Sequence, residues 1–256
     1  ASLDALSSST LVAASADVDS RVREAAVTLS ESNLDPDVLR AVMALSSAMD
    51  ARVRFQVALA CGQRADPLAG QALSAVASRD FQDPWVVAAV MTSAVPHGTT
   101  LVQQLLAEPT EAAKTFRQPL LQQALGSGDS TAVALILEQT LQGDFSRQCQ
   151  QLSDFIAALR RQNTSWESWA ASQRDSEVVP RVAAAERVLH EARAQLHASD
   201  VDPFSRSAAA ALLTRLDEDR ESAVAVLASE LSPQVDAERQ ADVIRWIAES
   251  GAENAP

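Results

Sequence analysis

Apolar residues fall at helical spacing in short blocks, and an aspartate opens most of the blocks. Asp19-Ser20-Arg21-Val22-Arg23 starts the first, and Asp50-Ala51-Arg52-Val53-Arg54 repeats it 31 positions later. Asp83-Pro84-Trp85-Val86-Val87 follows after 33 more, and Asp202-Pro203-Phe204-Ser205-Arg206 returns late in the chain, with a faint copy 34 positions on at Asp236. Seven places after each aspartate stands a small or β-branched apolar residue: Ala26, Val57, Val90, Ala209 and Val243. Aspartate can cap a helix by accepting from its free backbone N–H groups, and its charge suits the positive end of the helix dipole. Pro84 and Pro203 stand next, at the first helical position, where proline costs no hydrogen bond.

Each start leads into a pair of helices. In the first unit, Val22 to Leu29 is followed by the turn Ser32-Asn33-Leu34-Asp35-Pro36, and then Val38, Leu39, Val42 and Leu45 line a second helix. Val53 to Cys61 is followed by Gly62 and Asp66-Pro67, then Leu68, Leu73 and Val76. Val86 to Val95 runs into Pro96-His97-Gly98, then Leu101, Val102, Leu105 and Leu106. The middle is less regular. It predicts helices over Phe116 to Leu125, Val133 to Leu141, Phe145 to Leu159 and Val178 to Leu196, with a polar, Ser-rich stretch at 163–177 that carries Trp166 and Trp169. The last pair joins Ala208–Leu216 to Ala223–Leu231, and Asp236 to Ile247 reads as a first helix.

A lone helical hairpin cannot bury its apolar face, whereas stacked hairpins shield one another in a continuous core. The expected fold is therefore all-α: an α-α superhelix, a HEAT/armadillo-like solenoid of about seven hairpins at roughly 35 residues each. A single array is expected over 1–256, with clear repeats at 17–110, an irregular middle at 111–200 and clear repeats again at 201–250.

Composition agrees with helices and narrows function. Aromatics are 4% with no Tyr, and only 7 residues are Gly, so few sites can adopt positive φ cheaply. The net charge of −13 opposes a nucleic-acid phosphate backbone and an anionic membrane, and it suits a basic partner. No apolar run reaches the roughly 18–20 residues of a membrane span. The sequence begins at Ala1 rather than Met and lacks a basic-then-apolar opening, which leaves room for a removed leader or upstream domain. Cys61 and Cys149 lie in helical apolar patterns and read as small buried hydrophobes.

The Asp-x-x-Val-Arg-x-x-Ala arrangement, at Asp19-Val22-Arg23-Ala26 and Asp50-Val53-Arg54-Val57, resembles the HEAT repeat of the phycobilisome-lyase-like class. Asp202-Arg206-Ala209 matches in part, and Asp83 keeps Val86 but has Val87 in place of Arg. The long helix around Arg187–Arg193, the Asp200-to-Pro203 turn and the Ala-rich unit after it look like the HEAT region of large exported bacterial proteins. In those proteins a propeller dehydrogenase part precedes that region and a cytochrome c part follows it. No Cys-x-x-Cys-His is present, so only a connecting helical segment would be here. That resemblance implies an exported, periplasmic setting; without it the cytoplasm is expected.

The candidate residues point to binding rather than catalysis. Arg23, Arg54 and Arg206 recur at one repeat position, where each would pair with the Asp of its own or an adjacent repeat; a row of such charges could also recognise an acidic peptide. Trp166 and Trp169 read as a plug at a change of helix geometry or as exposed interface anchors. Trp85 and Trp246 read as core, and His97 reads as exposed in its Pro-His-Gly turn. His190 and His197 are seven apart, roughly 10 Å along a helix axis, too far to share a metal whose bonds are near 2 Å. No phosphate loop, nucleophile elbow or dinucleotide fingerprint is present.

The expectation is a non-catalytic, cofactor-free, monomeric scaffold that binds a protein or peptide. Its partner would meet polar residues of the second helices (Arg40, Gln71, Gln103 and Gln104). The alternative is a structural spacer between redox domains of a longer exported protein.

Overall fold

The computed structural model describes residues 6–33, 35–198, 201–231 and 237–250. Fifteen α-helices and no strand are present among these residues, so the protein is all-α. The chain divides into two compact units, Ala1–Ala132 and Val133–Pro256. Leu34, Asp200 and Asp236, which the sequence reading placed in turns or at a helix start, lie outside the described residues.

In the first unit a short helix α1 (Ser8–Ser15) precedes three hairpins. These are α2 (Ser20–Leu29) with α3 (Pro36–Ala44), α4 (Ala51–Cys61) with α5 (Pro67–Asp80), and α6 (Pro84–Ser93) with α7 (Gly98–Leu105). α8 (Glu111–Ser127) follows. First helices pack on first helices, α2 on α4 and α4 on α6, while second helices pack on second helices, α3 on α5 and α5 on α7.

The starts follow the expected local chemistry. Asp19, Asp35, Asp50, Asp66 and Asp83 each accept a bond from the backbone N–H two residues on. Pro36, Pro67 and Pro84 occupy the first turn of their helices. The core then falls where the register puts it, because Ala26, Val57, Val90, Ala209 and Val243 are all buried.

Two glycines allow the hairpins to come close. A Cβ on Gly62 would stand 2.7 Å from Ser93 Oγ and 2.9 Å from Ser93 Cα, so the end of α4 can touch the end of α6 only without a side chain. A Cβ on Gly70 would lie 3.2 Å from His97 Nδ1. His97 is accordingly buried, contrary to its expected exposure. A short 3-10 turn, Val95–His97, tucks the ring inward, and its Nε2–H donates to the Cys61 carbonyl at 3.0 Å.

α9 (Ser130–Thr140) begins in the first unit and continues in the second. The second unit then holds α10 (Phe145–Arg161), α11 (Trp166–Ser172), α12 (Val179–His197), α13 (Pro203–Leu213), α14 (Arg220–Ser229) and α15 (Ala237–Glu249). α13 is central and packs on α10, α12, α14 and α15. The polar 163–177 stretch contains α11, which seats Trp166 at 2% exposure against Phe155, their rings edge to face at 6.3 Å. Trp166 Nε1–H donates to Glu186 at 2.5 Å, so this large side chain buries its ring and satisfies its polar atom together.

Candidate functional site

The recurrent arginine acts on the turn behind it rather than on the capping aspartate. Arg23 Nη1 donates to the carbonyls of Asp17 at 2.6 Å and Val18 at 3.1 Å. Arg54 Nη1 reaches Ala48 at 2.6 Å and Met49 at 2.9 Å, and Arg206 Nη2 reaches Ala198 at 2.5 Å. Of the expected pairings of each Arg with the Asp of its own or an adjacent repeat, that of Arg54 with Asp80 of its own hairpin forms, while Arg23 and Arg206 reach carbonyls. Four residues after the cap, one helical turn places the side chain beside the loop that enters the helix, where carbonyls without helical partners need donors. The capping Asp is engaged instead by the residue two places on, as in the exposed pairs Arg21–Asp19 and Arg52–Asp50.

Arg54 adds a second task. Its Nε and Nη2 grip both carboxylate oxygens of Asp80 at 2.6 Å each, with both side chains largely buried. The Asp80 carboxylate raises the Arg54 guanidinium above its ordinary value. The result ties the turn before α4 to the end of α5 and closes that hairpin.

The same position recurs where the sequence shows no motif. Gln148 stands four residues after Asp144, the cap of α10, and its Nε2 donates to the carbonyls of Leu141 at 2.8 Å and Gly143 at 3.1 Å. Sequence reasoning missed it because it sought Arg, whereas the turn requires only N–H donors.

The surface residues proposed for partner contact divide into two kinds. Arg40, Gln71, Gln103 and Gln104 are exposed on α3, α5 and α7, the second helices that pack in succession. Trp166 is buried and therefore unavailable as an anchor, while Trp169 is half-buried with its ring 5.2 Å from Phe155. Trp85 reverses its expectation as core and is 76% exposed. It sits two places after its cap, the outward position that Arg21 and Arg52 occupy in their repeats. Trp246 is half-buried.

A groove of about 700 Å³ opens in the second unit between α10, α13 and α15. Phe204, Ser207, Ala208 and Ala211 form one face of α13 within it, and Trp246 lies on the α15 side. Its charges balance: Arg147, Arg215 and Arg245 are set against Asp144, Asp154 and Asp242. Several are already engaged, since Asp144 caps α10, Arg215 Nε donates to Ser153 and Arg245 pairs with Asp242.

The buried thiols do not offer nucleophiles. Burial pushes Cys61 up to about 12, and burial together with Glu191 pushes Cys149 up to about 12. His190 and His197 are exposed on α12. Among the described residues, no three His, Cys, Asp or Glu side chains gather where they could hold a metal ion, and no single helix is long and apolar enough to cross a membrane.

Comparison with protein-family models, curated proteins and solved structures found no match for this chain.

Proposed function

We propose that the chain is a HEAT-like helical-repeat solenoid that acts as a non-catalytic scaffold and binds a protein or peptide along its second helices. The observation that carries this reading is that the polar residues Arg40, Gln71, Gln103 and Gln104 are all exposed on α3, α5 and α7. Buried core positions line these helices, which pack in succession, α3 on α5 and α5 on α7. The repeated capping and turn-holding device supports the repeat reading.

Photo-cross-linking in extracts of the source cell tests the function. A benzophenone side chain at Gln71 or Gln103 is expected to give one discrete cross-linked species, and the same group at exposed Ala88 on the first helix α6 to give none. Equal labelling from both faces, or no cross-link from the second helices, overturns the proposal.

A further inference from the structure

We propose that the edge of the first unit where α2, α4 and α6 begin docks on a zwitterionic lipid surface, a role apart from the second-helix face. The three most exposed large apolar side chains among the described residues stand there: Val18 at 97%, Met49 at 85% and Trp85 at 76%. Val18 and Met49 each directly precede the cap of their helix, and Trp85 follows the cap of α6 by two places. Contacts join the three starts. The Ser20 hydroxyl donates to the Asp50 carboxylate, which brings the start of α2 to the start of α4. Arg54 grips Asp80, and the Asp80 carbonyl accepts the Asp83 N–H at 2.9 Å, so the start of α6 adjoins the start of α4.

The exposure of Val18 and Met49 is built into the repeat. An apolar residue just before a cap ordinarily folds back on the fourth residue after that cap. Here the fourth residue is Arg23 or Arg54, which takes the Val18 carbonyl at 3.1 Å or the Met49 carbonyl at 2.9 Å instead. The backbone is thereby fixed while the side chain stays in solvent. Side chains on a fixed backbone lose little further freedom when they dock.

Charge selects the occupant. The chain carries −13 overall, yet the three starts, 17–23, 48–54 and 79–85, hold five arginines against five aspartates. A neutral edge offers no attraction to nucleic acid or to a strongly charged partner. It suits headgroups that carry both signs. Trp settles at headgroup level in bilayers, and exposed Arg21, Arg52 and Arg79 can keep their guanidinium groups among the phosphates while their stems lie against apolar surface. The apolar side chains rise from separate turns. A second copy of the chain would need a hollow for each, whereas lipid closes around all of them.

Co-sedimentation of the full chain with phosphatidylcholine vesicles tests this. The native chain is expected to bind at millimolar lipid, and replacing part of that lipid by phosphatidylserine should weaken binding, because the rest of the surface is acidic. V18S/M49S/W85S should lower the affinity about tenfold or more, with an unfolding midpoint close to that of the native chain because all three side chains are exposed. V95S/F204S, which removes two apolar side chains exposed elsewhere, should bind as the native chain does. The proposal is overturned if the native chain stays in the supernatant, if the triple variant binds equally well, if V95S/F204S loses as much, or if phosphatidylserine strengthens binding. Self-association in sedimentation velocity that the triple variant abolishes, without vesicle binding, also overturns it and gives the edge to a second copy.

Discussion

The two units solve one problem, joining short helices into a core, with different materials. The first repeats a compact unit: aspartate caps on α2 to α6, a proline after Asp35, Asp66 and Asp83, a buried apolar stripe, and in α2 and α4 an arginine that holds the entering turn. Its hairpin helices α2 to α7 are 8–14 residues long. The second uses α10 of 17 residues and α12 of 19, and it fills the space beside α10 with Phe155, Trp166 and Trp169. Caps change role as well. Asp219 stands at the cap of α14, but its side chain accepts no capping bond from a backbone N–H; it accepts from Arg193 Nε at 2.8 Å instead. The lesson is that a residue type at a helix start does not fix its partner. Asp144 and Asp202 in the second unit still cap α10 and α13 by their side chains, whereas long-range packing redirects Asp219.

The comparison can be broken at several points. Trp166→Ala removes the largest buried side chain of the second unit. It should cost about 4 kcal/mol, read from the urea midpoint by circular dichroism, while Trp85→Ala should change stability by less than about 0.5 kcal/mol. Arg54→Ala strands the largely buried Asp80 carboxylate and should cost about 3 kcal/mol. Arg206→Ala, which loses a carbonyl contact, should cost about 1 kcal/mol. Gly62→Ala forces a methyl group into Ser93 and should cost about 2 kcal/mol, with the loss visible as faster hydrogen exchange at the ends of α4 and α6.

Acid provides the smallest effect. Hydrogen bonds from the residue two places on hold Asp19, Asp35 and Asp50 below the usual 3.8, led by the Arg21 and Asp37 backbone N–H groups and, for Asp50, by the Arg52 side chain. A depressed folded-state value means that the stabilising contribution is full above that usual value and is lost as pH falls through the lower folded one. All three caps lie in the first unit. The difference in urea midpoint between the native chain and a D19N/D35N/D50N variant should therefore shrink between pH 5 and pH 2. Asn keeps the capping bond but carries no charge.

Much of the fold was legible because its signals are local. Asp-Pro at 35–36, 66–67, 83–84 and 202–203 states a helix start in two residues, and the apolar residues noted seven after the aspartates, Ala26, Val57, Val90 and Ala209, are buried. What was illegible depends on neighbours distant in sequence. His97 looks like a surface turn residue until Gly70 is seen to leave room for its ring. Trp85 looks like core by composition, although its register already put it with the exposed Arg21 and Arg52. The 163–177 stretch left Trp166 open between plug and exposed anchor because its contacts, with Phe155 and Glu186, come from residues distant in sequence. The exposure of Arg40, Gln71, Gln103 and Gln104 was nameable in advance because it follows from helical period alone.

The central claim is that after the capping aspartates Asp19, Asp50, Asp144 and Asp202 the fourth residue holds the incoming turn through a side-chain N–H donor, whether Arg or Gln. Substituting Gln148 tests it most directly, because that site carries no sequence motif. Urea midpoints should show Gln148→Ala less stable by about 1 kcal/mol and Gln148→Arg within about 0.5 kcal/mol of the native chain. An alanine variant as stable as the native chain, or an arginine variant as damaged as alanine, would contradict the account.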